Sequence, residues 1–234
     1  MDFSLPTLSS AEYTALLLSL KVALWCTALS CLPGVLIGWL LAKKAFIGKS
    51  LLNSLVHLPL VLPPVVPGYL LLLLLGRQGV LGKWLYEEFG LSIAFTWKGA
   101  VLAAMIMAFP LMVRAVRLAV ELVDTRLEQA ALSLGAHPVR VFLSITLPLS
   151  LPGVLTGMIL TFSRSLGEFG ATITFVGNIA SETRTLPLAI YSATHMPGGE
   201  GPALRLVMIS LLLAFGALMA SDYLARRSEP LLGR

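Results

Sequence analysis

The chain has 234 residues, of which 57% are hydrophobic and 12% are charged, with a formal net charge of +5 and a mean hydropathy of +0.87. Soluble domains are about 45–50% apolar and about 25% charged, so these charges are too few to cover a soluble globule of this size. The composition excludes a soluble protein and indicates one that lies largely in lipid.

Long apolar runs predict the membrane spans. A helix needs about 20 mainly apolar residues to cross a bilayer core about 30 Å thick. Five stretches meet or approach that length: 22–42, 51–75, 93–113, 153–175 and 204–224. A further stretch, 186–196, is too short and too polar to cross alone and is expected to form a short or re-entrant helix near the surface. The predicted fold class is therefore all-α, a polytopic membrane helical bundle with five clear spans and at most a sixth.

Basic residues near the ends of spans predict the orientation of the chain. They are most numerous in the first connector, the third connector and the tail: Lys43, Lys44, Lys49, Arg114, Arg117, Arg126, Arg140, Arg226, Arg227 and Arg234. This distribution predicts an N-terminus outside and a C-terminus in the cytoplasm, although an additional short span near the N-terminus would change the count. Because the basic residues lie at loop ends, the net charge predicts contact with lipid and no binding of nucleic acid.

The second predicted span contains four prolines within nine residues: Pro59, Pro63, Pro64 and Pro67. Each proline removes an amide donor and clashes with the preceding turn. Non-helical backbone at membrane depth is tolerated only where it is buried in protein or faces a water-filled cavity. The segment is either a gate hinge on a translocation pathway or a kink needed for packing.

The connector between the third and fourth spans, 114–152, is long and only partly apolar, and is predicted to be folded. Four of its residues recur at i, i+3, i+4 and i+7 and predict one apolar helical stripe: Leu127, Ala130, Ala131 and Leu134. Gly135 is expected to stop this helix because glycine takes a positive φ at low cost.

A second helix is predicted after the turn. Pro138 suits a first helical turn, and Pro148 and Pro152 are expected to end that helix and begin the fourth span. The result would be two short amphipathic helices joined by a sharp turn on the cytoplasmic face. The pair either packs on its own bundle or inserts as a knob into a groove of a soluble partner.

Two ionisable residues, Arg164 and Glu168, lie at i, i+4 inside the fourth predicted span. At 1.5 Å per residue, Arg164 lies about 16 Å from Gly153, near the middle of the membrane. Intramembrane charges are costly and usually face the interior or a cavity. Arg164 either lends positive potential to an anion path or forms a neutral pair with Glu168 that fixes helix packing, and the second interpretation is favoured.

Metal binding, catalysis and ATP binding are not predicted for this chain. His57, His137 and His195 lie in separate segments without an HExxH or CxxC arrangement, so neither a metal site nor catalytic residues are expected. The chain also has no Gly-x4-Gly-Lys-Ser/Thr phosphate loop, so it is not expected to bind ATP.

The connector resembles the signature of bacterial ABC-type importer permeases, which reads Glu-Ala-Ala, three residues, Gly, nine residues, Ile-x-Leu-Pro. The matching residues here are Gln129, Ala130, Ala131, Gly135, Ile145, Leu147 and Pro148. Every spacing is kept, and the one departure is Gln129 in place of Glu. Glu128 lies beside it but points about 100° away around the helix, so it is not a simple substitute. Two further stretches, 58–69 and 165–191, look like the permeases of molybdate importers, with the sulfate/thiosulfate permeases as nearest relatives, so the resemblance covers about residues 12–225.

The resemblance implies a single permease domain, 1–234 with its core at about 12–225, in a bacterial inner membrane. Two copies would form a pore, and the coupling helices, 126–148, would dock on separate ATPase subunits that bind ATP and Mg. An extracytoplasmic binding protein would deliver the substrate, and the chain itself would need no cofactor. Molybdate is the expected substrate. A sulfate, thiosulfate or tungstate permease and a stand-alone secondary anion transporter are the alternatives.

Overall fold

The structure is a computed structural model that describes residues 8–228, without the side chains of 221, 222 and 224–228. Within this range the regular elements are all helical: α1 Ser10–Lys43, α2 Lys49–Val61, α3 Val65–Leu75, α4 Val80–Phe89, α5 Trp97–Glu121, α6 Thr125–Ser133, α7 Pro138–Val141, α8 Leu147–Leu166, α9 Gly170–Val176, α10 Leu186–Thr194 and α11 Glu200–Ser228. The predicted all-α class is confirmed. The two ends of the predicted domain, including Arg234, lie outside the described residues, as do the side chains of Arg226 and Arg227.

Four helical segments of the described chain are long and apolar enough to cross a membrane: Ser10–Lys43, Trp97–Glu121, Pro138–Leu166 and Glu200–Ala220. Helices α2 and α3 pass the same test together, but their axes are bent by 111° at the break between them. Five spans are present if this bent pair counts as one, which agrees with the predicted number.

The bounds of two predicted spans are wrong. The first helix begins at Ser10, well before residue 22, because Ser9 and Glu12 form a reciprocal capping box at its N-terminus. The fourth predicted span, 153–175, is two helices, since α8 ends at Leu166 and α9 begins at Gly170.

Pro148 and Pro152 do not end a helix, contrary to the prediction. A π-helical turn, Phe142–Thr146, joins α7 to α8, and both prolines lie within α8. Pro148 is the second residue of α8, directly after the π-helical turn. Pro152 lies one turn later, and membrane helices tolerate such a proline through local π or 3₁₀ adjustments.

Helix α5 forms the centre of the bundle, between α1 and α8. Each flanking helix carries two glycines four residues apart: Gly34, Gly38, Gly153 and Gly157. A Cβ atom on Gly34 would lie 2.3 Å from Cγ of Met112, and one on Gly153 would lie 2.1 Å from Cβ of Ala119. Small residues at this spacing let membrane helices approach closely, so the glycines set the distance of α1 and α8 from α5.

Polar contacts define the two ends of the bundle. At one end, Arg205 of α11 lies 2.9 Å from Oε1 of Glu12, in the first turn of α1. At the other end, Lys43 Nζ donates a hydrogen bond to the carbonyl of Val123, just after α5. The predicted short stretch 186–196 forms α10, whose first amide, on Leu186, donates to Ser19 Oγ. Helix α10 is short, as predicted, and starts inside the bundle beside α1; that it is re-entrant stays a prediction.

Candidate functional site

The predicted turn in the connector between the third and fourth spans is present. Asp124 accepts a hydrogen bond from the Arg126 amide and caps the start of α6. After α6, Gly135 has a φ of +86°. Its amide donates to the carbonyl of Leu132, and the next amide, of Ala136, donates to Ala131. This is the Schellman arrangement, in which a left-handed residue satisfies the last helical carbonyls, and it confirms Gly135 as the helix stop.

The second predicted helix is shorter than expected. Pro138 occupies the first turn of α7, and His137 Nδ1 accepts a hydrogen bond from the Val139 amide. Helix α7 has only 4 residues before the π-helical turn continues it into α8. The connector is therefore one separate helix, a glycine turn and an extension of the next span, because the helical backbone is continuous from α7 to α8.

The apolar stripe of α6 is exposed. None of the residues of α6 is buried, and Leu127 and Leu134 are 49% and 88% exposed. Gln129 and Ala130 are exposed as well, and Ala131 is half-buried. The stripe does not pack on its own bundle, and together with α7 it forms an open surface, which we call the docking knob (125–141).

The remaining signature residues lie directly behind the docking knob. Ile145 is half-buried in the π-helical turn, and Leu147 and Pro148 begin α8, the first half-buried and the second exposed. Leu147 packs against the buried cluster that contains Val35 and Met112. The signature therefore runs from an exposed surface into the interior of the bundle.

Glu128 turns inward, away from Gln129, as the helical angle predicted. Its Oε2 atom lies 2.9 Å from Lys43 Nζ, and its Oε1 atom accepts a hydrogen bond of 2.6 Å from Thr146 Oγ1. Sequence reasoning missed this cluster, because it used Lys43 only to predict orientation. A basic residue at the end of the first span was a weak signal, but no spacing related it to Glu128.

The proline-rich segment is broken where the sequence predicts. Pro59 is half-buried in α2, Pro63 and Pro64 are exposed at the break, and Pro67 is buried in the first turn of α3. A Cβ atom on Gly68 would lie 2.5 Å from the carbonyl oxygen of Ala171. The break therefore packs directly against the start of α9.

Arg164 and Glu168 form the ion pair that their spacing predicts, with Nη1 and Oε2 2.7 Å apart. Glu168 is 3% exposed, and its other carboxylate oxygen accepts a hydrogen bond from the Ala171 amide in the first turn of α9. The tertiary structure thus brings the two predicted pathway elements together, since Ala171 contacts both Glu168 and Gly68. The pair is neutral as a whole, which the packing interpretation requires, and it lies beside the broken span, which the pathway interpretation requires.

Broken spans and buried intramembrane charges are typical of membrane transport proteins, and this bundle has both. The family described as "Binding-protein-dependent transport system inner membrane component" matches residues 34–230. The chain belongs to this family, and it is a transport subunit of the inner membrane and not an enzyme.

Individual relatives are similar over most of their length. The molybdenum transport system permease protein ModB of Escherichia coli (strain K12) is 57% identical, over 97% of this chain and 99% of its own. A probable sulfate transport system permease protein cysT of Nephroselmis olivacea is 34% identical, over 89% of this chain and 75% of its own. A solved bacterial ABC transporter involved in the import of the acidic polysaccharide alginate has the same fold, with a TM-score of 0.70 at 15% identity over 97% of this chain and 86% of that one.

Proposed function

We propose that this chain is the membrane-spanning subunit of an ATP-driven importer that carries molybdate into the cytoplasm by alternating access. The observation that carries the proposal is the docking knob, which keeps an apolar helical stripe in the open at one end of a bundle of spans. A membrane protein with exposed Leu127 and Leu134 outside its apolar spans needs a partner there, since exposed apolar patches of this kind mark interaction sites. The resemblance to the molybdenum permease supports molybdate as the cargo.

The partner at the docking knob is a cytoplasmic ATPase subunit. That subunit, and not this chain, holds ATP and Mg, because the sequence has no phosphate loop. On this chain, the residues that contact the ATPase are Gln129, Ala130, Ala131, Leu134 and Gly135. Ile145, Leu147 and Pro148 connect this contact surface to α8. Closure of the ATPase pair on ATP would pull the docking knob and rearrange the spans.

The pore is completed by a second copy of the chain, and an extracytoplasmic binding protein delivers the anion. Helix α11 is apolar but only 11% of its apolar stretch is buried within this chain. A second copy of the chain or lipid therefore covers the rest of it. The pathway runs beside the broken span (Pro59, Pro63, Pro64, Pro67) and the Arg164–Glu168 pair. Because Glu168 balances the charge of Arg164, the pathway does not bind the anion tightly. Weak binding suits a permease, which must release its anion.

The N-terminus lies outside and the C-terminus lies in the cytoplasm. Lys43 ends α1 beside Glu128 of the docking knob, so α1 runs from outside to inside. The start of α11 lies beside the start of α1, through the contact of Arg205 with Glu12. Helix α11 therefore runs inward as well, and the basic tail faces the cytoplasm, as the positive-inside rule requires.

Uptake of labelled anions tests the cargo. Cells that carry this importer as their sole molybdate system should accumulate labelled molybdate, and excess sulfate should leave that uptake nearly unchanged. Labelled sulfate entering in preference to molybdate would identify a sulfate permease, and labelled tungstate entering in preference would identify a tungstate permease.

Reconstitution tests the dependence on ATP. Liposomes with the purified chain alone should transport nothing, while liposomes that also hold the ATPase, ATP and the binding protein should import molybdate. Anion flux through the chain alone would identify a secondary transporter and contradict the proposal.

A further inference from the structure

The carboxylate of Glu128, on the inner side of the docking knob, joins α6 to α1 and to the π-helical turn. It accepts from Lys43 Nζ, at the end of α1, and from the hydroxyl of Thr146, at the end of the π-helical turn. Thr146 is 1% exposed, so this contact reaches the interior of the bundle. One side chain on α6 therefore touches both α1 and the start of α8.

These polar contacts connect α6 to α1. The covalent chain connects α6 to α5 and, through α7, to α8, but α1 lies far away in sequence. No residue of α6 is fully buried, and only Glu128 and Ala131 are half-buried, so apolar packing holds this helix to its neighbours only weakly. Lys43 strengthens the attachment, because its Nζ also donates to the carbonyl of Val123, where the chain enters α6.

The Lys43–Glu128 pair is shielded from water. The two side chains are 14% and 15% exposed, compared with 33% and 39% for the Arg117–Glu121 pair on the same end of the bundle. Charge pairs are weakened by water and salt chiefly where they are exposed. The electrostatic attraction within the Lys43–Glu128 pair is therefore the stronger of the two.

We propose that Glu128 is a positioning residue that transmits the displacement of the docking knob into α1 and α8. The inference rests on the proposed function, since it requires an ATPase that pulls on α6. Neighbouring residues then divide two tasks: Gln129 and Ala130 face the partner, while Glu128 attaches the helix to the spans that must move.

The test compares transport with ATP consumption. The chain is reconstituted with its ATPase and binding protein, and imported molybdate and hydrolysed ATP are measured in the same liposomes. Glu128→Gln should lower the molybdate imported per ATP at least fivefold, while co-purification of the ATPase stays as in the native chain, because the exposed stripe is untouched. Lys43→Glu alone should have a similar effect, and the exchanged pair Lys43→Glu/Glu128→Lys should recover at least half of the native ratio.

Glu121→Gln is the matched control, since it removes an exposed carboxylate of another cation pair at the same end, and its ratio should be unchanged. Thr146→Val is a second variant of similar volume, which guards against a folding defect in Glu128→Gln, and it should lower the ratio at least twofold.

Native ratios in both Glu128→Gln and Thr146→Val would overturn the inference. Loss of ATPase binding in Glu128→Gln would also overturn it, because Glu128 would then belong to the docking surface itself. A native chain that neither binds the ATPase nor imports with ATP would refute the proposed function instead.

Discussion

Pro64, at the break of the second span, lies against Gly170, the first residue of α9: a Cβ atom on Gly170 would lie 2.6 Å from Cβ of Pro64. The proline ring is rigid and attached to the backbone, so it cannot rotate out of the way. This contact seats the broken span beside the Arg164–Glu168 pair, and it leaves no room for a larger residue.

Gly170→Ala should therefore destabilise the protein, by roughly the 1–3 kcal/mol that overpacking of a well-packed core costs. Thermal unfolding of the purified chain in detergent measures this change. Gly167→Ala is the control, because a Cβ atom at Gly167, three residues earlier, would meet nothing within 4 Å. Equal unfolding temperatures for the two variants would show that the Pro64 contact is not tight.

Neutralising Glu168 should lower the amount of folded protein in the membrane. Glu168→Gln can still accept from the Ala171 amide, but it leaves Arg164 without its counter-charge. The loss should fall at or below the lower end of the ~3–5 kcal/mol measured for broken buried pairs, because the Arg164 side chain is 30% exposed.

The double variant Arg164→Gln/Glu168→Gln separates the two interpretations of this pair. If the pair serves packing, the double variant should recover both the protein level, measured by immunoblot, and molybdate uptake. Recovery of the protein level without uptake would contradict the packing role and assign Arg164 to the anion path.

Gly135→Arg should reduce co-purification of the ATPase at least tenfold while membrane insertion stays intact. A Cβ atom at Gly135 meets nothing within 4 Å of this chain, but its φ of +86° strains other residues, at about 1–2 kcal/mol. Gly135→Asn is the control, since asparagine adopts this conformation readily. Ala131→Glu is a second probe of the same surface. ATPase binding at the native level in both Gly135→Arg and Ala131→Glu would contradict docking at this turn.

Single cysteines should report the predicted orientation. In a functional background with Cys26→Ala and Cys31→Ala, Ile47→Cys probes the first connector, where Ile47 is fully exposed, and Met196→Cys probes the turn after α10, where Met196 is 58% exposed. With the outer membrane permeabilised, an impermeant maleimide should label Met196→Cys in intact spheroplasts and Ile47→Cys only after lysis. The reverse pattern would place the N-terminus inside.

Many local features followed from sequence patterns. Gly135 could be identified as a helix stop because glycine takes a positive φ at low cost, and the amphipathic helix before it could be predicted from the helical spacing of its apolar stripe. The prolines marked the break at Pro63 and Pro64 for a similar reason, since each removes a backbone donor. The Arg164–Glu168 pair could be predicted from i, i+4 spacing alone.

Other features needed the assembled bundle. The continuity of α7 with α8 through a π-helical turn was missed, because Pro148 and Pro152 are local signals of a helix end and only the surrounding packing shows that the helix continues. The contact of Glu128 with Lys43 joins residues far apart in the chain, and no periodicity relates them.

The sequence by itself determined that this protein lies in the membrane, that its second span is broken, and that α6 stops at Gly135, because composition, proline and glycine act on their immediate neighbours. Only the tertiary structure decided which broken segments meet and which charge attaches the docking knob to the spans. Those contacts depend on the directions in which separate helices pack, and in this bundle the glycines of α1 and α8 set how closely they approach α5.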